Sequence, residues 1–330
     1  MTAAPPPPLA PATPAGRGAP SPLGLAQVVA AGVLWGTGGL AVHVVNDRVG
    51  MSAGTVSAYR MLLATLVLVV AVLALRQRGD VAHVLRHHRG RAIAVGVATA
   101  AYQGLYFSAV LAAGVGVATV VSLGLAPVMV TVVVCVRSRR TPRPGEVVAL
   151  VAAVAGLLLV SFGGAHGGSG PAPLLGVGLA VVAAVGYAAT TLVGARVSRE
   201  VEPLALTTVA TAVGALVLVP WGAVEALRGS PVVTDDPVTL LWLLWLGVAT
   251  MALAYGLLYA GLRTTSSSTA TVATLLEPVT AALLAAVVVG ERIGLLGTVG
   301  GALILAAILV QVRSSPADEG PAAAQEPAAR

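Results

Sequence analysis

The chain contains no lysine: all nineteen basic residues among its 330 are arginine. That absence removes several chemistries at once. No phosphate-binding loop ending in Gly-Lys-Ser/Thr can form, so the chain has no such ATP site of its own. No lysine is there to make a Schiff base with pyridoxal phosphate or retinal. Charge is scarce altogether, at 10% of residues against roughly 25% in an ordinary globular chain. The single Cys135 permits no intrachain disulfide and reads as a small apolar filler. Histidine is also sparse. His83, His87 and His88 superficially match a histidine box of membrane di-iron enzymes, but His43 and His166 are the only others. Both fall in segments read as outer loops, so the set cannot fill two metal shells. The stretch reads as a basic inner loop, and the expectation is that no metal or other cofactor is held.

What the chain has in abundance is apolar length. It is 57% hydrophobic with a mean hydropathy of +0.93. A membrane span takes about 20 mostly apolar residues. The apolar runs lie near 25–42, 54–75, 92–112, 115–136, 146–162, 174–195, 203–221, 238–261, 265–289 and 293–312, which predicts ten spans. The opening M-T-A-A-P-P-P-P-L-A-P lacks the basic region and apolar core of a signal peptide. Residues 1–22 and 313–330 are expected to be disordered tails, and the Gly-rich residues 164–173 a linker. The net charge of +6 does not point to nucleic acid, because the arginines sort by loop. With the N-terminus inside, fifteen fall on the inner side and only Arg48, Arg228 and Arg292 on the outer. Such a bias places both termini in the cytoplasm.

The chain also repeats itself. A-T-V-V-S-L-G-L-A-P-V at 118–128 returns as A-T-V-A-T-L-L-E-P-V at 270–279, with Pro127 and Pro278 151 positions apart. V-V-A-A at 28–31 returns at 181–184, and Tyr102 and Tyr106 return as Tyr255 and Tyr259. The matches pair span one with six, three with eight and four with nine, so residues 23–163 and 174–312 form two five-span halves. Five is odd, so the second half must enter the membrane from the opposite side. The predicted fold is therefore an all-α integral membrane protein of ten transmembrane helices in two inverted five-helix repeats, with a solute site near the midplane between them.

Trp35-Gly36-Thr37, Arg60, Y-F-S-A-V (106–110), Y-A-G-L (259–262), L-E-P-V (276–279) and V-V-G-E-R (288–292) resemble the EamA-type branch of the drug/metabolite transporter superfamily. The resemblance covers about residues 25–312. It implies transport of amino acids, other small metabolites or drugs, often coupled to protons; the all-Arg, Ala/Gly/Val-rich composition suggests a high-GC bacterial genome, and so a bacterial cell membrane. It also implies a central cavity lined by spans one, three, four, six, eight and nine, and export more than uptake. One departure is that Arg140-Thr141-Pro142 stands where the second half has Glu291-Arg292-Ile293, so that acidic position is not symmetric.

Glu277 is the first chemical candidate. It replaces Ala126 of the first half and lies near mid-span, where ionisable residues are functional by default. It could take up and release a proton during transport. Pro278 cannot donate a backbone hydrogen bond and is expected to free the carbonyl of Thr274. The bland alternative is a neutral, hydrogen-bonded Glu that only holds helices together. Pro127 and Pro278 are read as matching helix breaks. Tyr102 and Tyr106 share a helix face, as do Tyr255 and Tyr259. With Gln103, Trp35 and Tyr187 they are the candidate substrate-binding cavity, against the alternative of interfacial anchors. Arg60 is a candidate anion contact, since guanidinium grips a carboxylate with two hydrogen bonds. Its alternatives are snorkelling or pairing with a neighbouring helix. Gly156, Gly297, Gly300 and Gly301 permit close helix approach, either between the halves or in a homodimer.

The expected partners are thus a small-molecule substrate and membrane lipid, with no nucleic acid. The expected activity is secondary transport by alternating access. A multidrug or cationic-compound exporter of the same fold is the alternative. A membrane enzyme is disfavoured by the missing metal and nucleophile sets, and a non-transporting scaffold would show no solute flux. The arginine distribution makes a direct prediction. A C-terminal fluorescent-protein fusion is expected to be bright and a C-terminal alkaline phosphatase fusion inactive; the reverse pair of signals would overturn the assigned orientation.

Overall fold

Prolines and short polar residues set where the helices begin. Proline occupies the first turn of α1 (Pro22–Val49), α7 (Pro173–Val197), α8 (Pro203–Leu227) and α9 (Pro237–Gly247), where its missing N–H costs nothing. The Ser52 side chain accepts from the Thr55 amide to start α2 (Ala53–Ala74), and Asp236 accepts from Thr239 to start α9, each satisfying an otherwise orphaned donor. Gly50, at φ 69°, ends α1 in the left-handed conformation that glycine adopts without strain.

The fold is that of a computed structural model, which describes residues 21–113, 115–162, 172–284, 287 and 294–314. The remaining elements are α3 (Arg78–His87), α4 (Arg89–Ala113), α5 (Val115–Arg137), α6 (Pro144–Phe162), a π-helical turn over Val248–Leu253 continuing α9 into α10 (Ala254–Gly261), α11 (Ser267–Ala273), α12 (Leu276–Leu284) and α13 (Leu295–Ser314). Among the described residues there is no strand. Within these described residues, seven stretches are long and apolar enough to cross a membrane: Ala53–Ala74, Arg89–Ala109, Val117–Arg137, Pro173–Val197, Pro203–Leu227, Pro237–Gly261 and Leu295–Ser314. Pro22–Gly38 and Pro144–Val160 are apolar but shorter.

The distribution of polarity is that of a protein solvated by lipid. Leu66, Val70, Leu216 and Leu241 are exposed, whereas Ser57, Thr99, Gln103, Thr190 and Thr211 are buried. The interior hydroxyls remain tolerable because many bond back one turn, as Thr99 does to the Val95 carbonyl and Thr191 to that of Tyr187.

Packing joins the two halves of the chain throughout. α4 lies on α7, α1 on α9, the π turn and α10, α2 on α8, and α6 on α13. α5 packs on α7 as α12 packs on α1. Exchanging the halves therefore maps each of these principal pairings onto another or onto itself. The α6–α13 seam is closest at two glycines. A Cβ on Gly156 would sit 2.6 Å from the Gly300 carbonyl oxygen, and one on Gly300 would sit 2.6 Å from that of Gly156. These two positions thus join the halves.

Several features differ from the sequence expectation. Residues 78–87, read as loop, form the short helix α3, whose apolar Val84 is fully buried. His43 lies within α1, which extends to Val49, and not in an outer loop. His166, the Gly-rich linker residues 164–171, and Glu291 and Arg292 lie outside the described residues. Pro127 does not break its helix: α5 is continuous from Val115 to Arg137. Span nine, by contrast, is two helices, α11 and α12, separated at Thr274 and Leu275.

Gly156→Val is expected to lower stability by about 2 kcal/mol, because the added carbons must displace backbone. Thermal unfolding of the purified protein in detergent reads the change, and an unaltered transition would refute this seam.

Candidate functional site

The site begins at the break between α11 and α12. Pro278 sits in the first turn of α12, where no intrahelical bond from its nitrogen is required. The Thr274 carbonyl is not freed, as the sequence reading had it. It accepts from the Glu277 amide at 3.0 Å, because the chain tightens into a three-residue turn before restarting. Glu277 consequently occupies the first turn of α12, the end of a helix that favours negative charge.

α1 lies directly against this break. A Cβ on Gly32 would be 3.2 Å from Thr274 Cα, and one on Gly36 would be 2.6 Å from the Glu277 carbonyl oxygen. Only glycine permits that approach, and it carries the intervening Trp35 into the interior. Trp35 is buried and donates from Nε1 to the Thr250 carbonyl at 2.9 Å. Thr250 lies in the π turn, a geometry that often marks functional sites.

The aromatic candidates form one connected row. Trp35 meets Tyr187 edge-on with ring centroids 6.4 Å apart, within the range of favourable aromatic pairs. Trp35 lies 5.0 Å from Tyr255, and Tyr187 lies 5.0 Å from Tyr102. Beyond them, Tyr102–Tyr106 is 5.9 Å and Tyr255–Tyr259 is 6.0 Å. Swapping Trp35 with Tyr187, Tyr102 with Tyr255 and Tyr106 with Tyr259 leaves this set of distances nearly unchanged. The aromatic frame thus obeys the duplication of the chain.

Hydroxyls fasten the frame to its surroundings. Tyr187 shares a 2.6 Å hydrogen bond with Thr274, and Tyr106 a 2.8 Å bond with Thr119. Tyr255 and Tyr259 border, with Thr99, Thr207, Thr211 and Met251, a crevice too narrow to admit a water molecule. The Tyr259 hydroxyl is buried without a hydrogen-bond partner; it approaches Thr99 but not in bonding geometry. Gln103 is buried, donates a long 3.5 Å contact to the Met251 sulfur, and leaves its Oε1 unpartnered.

Charge enters on one side only. Glu277 is half-buried, and no side-chain hydrogen bond to its carboxyl group is present among the described residues. Arg60 is also half-buried and donates from Nη2 to the Thr250 hydroxyl at 3.0 Å. The two are not in direct contact, but they lie close enough for their charges to attract each other. Arg60 therefore points into the interior and does not snorkel to an interface. Pro127 is the one candidate without a site role here, since it lies inside the continuous α5. Sequence reasoning missed Thr250, Met251 and the hydroxyl of Thr274, of which it had singled out only the carbonyl. A hydroxyl in mid-span that needs a partner was the only available signal for the two threonines.

A largely helical interior of hydroxyls and aromatics, enclosed by lipid-facing helices, defines a multi-pass membrane protein. The EamA-like transporter family model matches residues 22–162 and again 174–313, and the chain belongs to that family. It is 28% identical over 285 residues to the "Uncharacterized transporter YwfM" of Bacillus subtilis (strain 168), covering 86% of this chain and 91% of that one. A solved crystal structure superposes with a TM-score of 0.73 at 21% identity, covering 87% of this chain and 95% of its own. That likeness speaks to the fold.

Tyr187→Phe is expected to cost about 1 kcal/mol of stability, the usual net worth of one hydrogen bond, and more if Thr274 is left without water access. A thermal transition equal to that of the unaltered protein would show that the Thr274 contact is not formed.

Proposed function

We propose that the chain is a secondary active transporter that moves a small metabolite across the bacterial cell membrane by alternating access. In this reading α1, α2, α4 to α8, the α9–α10 unit, the α11–α12 unit and α13 are ten crossings in two inverted halves. The matched ring distances across the halves carry the proposal. A rocking transporter needs two similar half-sites facing one solute, and the row from Tyr106 through Trp35 to Tyr259 supplies them. The aromatic walls bind apolar parts of a solute, while the hydroxyls and the Gln103 amide orient its polar groups. Amino acids and similar small metabolites fit that mixture, and the family favours export.

Glu277 is the proton-exchanging group of this proposal. Its place at the α11–α12 break lets a local change in charge act on the two half-helices and on α1, which rests against both. Thr274 and Leu275, between the half-helices, provide the hinge.

One observation favours a second reading. Aromatic faces beside a carboxylate also suit an organic cation, so an exporter of cationic compounds is the alternative solute class. Counterflow in proteoliposomes separates the two, using radiolabelled neutral amino acids in one set and a labelled quaternary ammonium compound in the other. The expectation is amino-acid exchange that an imposed pH gradient accelerates. Glu277→Gln, inserted and folded, is expected to retain counterflow and lose the response to the gradient. An undiminished gradient response in that variant would remove Glu277 from proton coupling. Absence of flux for every solute tested would count against transport itself.

A further inference from the structure

Resting on the transport reading above, the geometry points to Arg60 as the subsite that receives a carboxylate group of the solute, held along the edge formed by its Nε and Nη2 atoms. A guanidinium presents two parallel N–H groups on that edge, spaced to match the two oxygens of a carboxylate. Nη2 is occupied by the Thr250 hydroxyl at 3.0 Å. Nε is buried and no protein group accepts from it. Leaving a buried donor of a charged group unmet is costly, and a carboxylate oxygen would meet it.

The surroundings favour a monoanion. The ionisable groups that bear on Arg60 are Tyr255, Glu277 and Tyr102, none of them a cation. One guanidinium balances one carboxylate, whereas a phosphate dianion would leave a full negative charge unbalanced. Other unmatched polar atoms belong to the same interior. Ser57, one turn before Arg60 on α2, has a buried Oγ without a partner, and so do Gln103 at Oε1 and Tyr259 at its hydroxyl. Oε1 is an acceptor, suited to an N–H or O–H donor elsewhere on the same solute. Thr250 gives the subsite a mechanical link. Its hydroxyl accepts from Arg60 while donating to the Leu246 carbonyl at 2.7 Å, and its own carbonyl receives Trp35. A carboxylate that draws Nη2 from Thr250 acts on the π turn and, through it, on the aromatic frame.

The test uses the full-length protein and pairs of compounds that differ only at the carboxylate: neutral amino acids against their carboxamides, and benzoate against benzamide. Thermal stabilisation in detergent reads binding, and counterflow in proteoliposomes reads transport. Wild-type protein is expected to be stabilised by the acids and not by the amides. Arg60→Lys and Arg60→Gln are expected to weaken the acid response by about tenfold or more, because neither replacement offers the paired edge. Equal responses to acid and amide in the wild type, or no response to either, would overturn the subsite, as would an undiminished acid response in a folded Arg60→Gln protein. These outcomes separate from the fate of the transport reading. Acid-selective binding without counterflow would support the subsite and sink transport, while counterflow indifferent to the carboxylate would do the reverse.

Discussion

Thr274 is the point on which the interior depends. Its carbonyl accepts from the Glu277 amide, its hydroxyl meets Tyr187 and donates to the Thr271 carbonyl, and its Cα forms the surface against which Gly32 packs. In lipid every backbone polar group must find a partner within the protein, so a helix can be interrupted only where protein encloses the interruption. α5, α13, α1 and α7 supply that enclosure around α11. Without it, the carboxyl group of Glu277 would not be presented at a helix start inside the membrane. Trp35, one residue before Gly36, would also have no reason to reach Thr250.

The site combines a symmetric frame with asymmetric charge. Duplication left paired aromatics at equal spacings, and these lie where the two halves meet. Charge was then placed in one copy of each pair of segments. Glu277 stands opposite Ala126, and the repeat position of Arg60 falls near the uncharged Ala212. The continuous α5 and the divided α11–α12 unit follow the same logic. Both segments contain proline, yet only the copy with the charged residue is opened. A proline inside a helix removes one bond and can be tolerated by a bend, whereas a restarted helix creates a new N-terminus able to receive a carboxylate.

A second set of contacts closes one end of the bundle. Tyr59 donates to the Val232 carbonyl, Ser230 accepts from the Ser52 amide, and Arg48 pairs with Asp236 at 3.4 Å. The segment between α8 and α9 is thereby strapped to the α1–α2 corner. The opposite end is tied by Arg91 to Glu200 and by Arg263 to Glu202. Such exposed pairs contribute little stability individually.

Composition and repetition by themselves determined the class of the molecule. Apolar length without compensating charge has no stable solution except in lipid, and a repeated sequence dictates repeated local structure. The two tyrosine pairs were legible for the same reason: recurrence at one offset marks positions that the two halves treat alike. The tertiary structure decided what recurrence cannot encode. The π turn at Val248–Leu253, the separation of α11 from α12, and the inward course of Arg60 depend on which atoms of another helix stand opposite. A threonine in an apolar run looks the same in sequence whether it bonds to its own helix or anchors a neighbour. Only packing of α1 across the break distinguished Thr250 and Thr274 from the other buried hydroxyls.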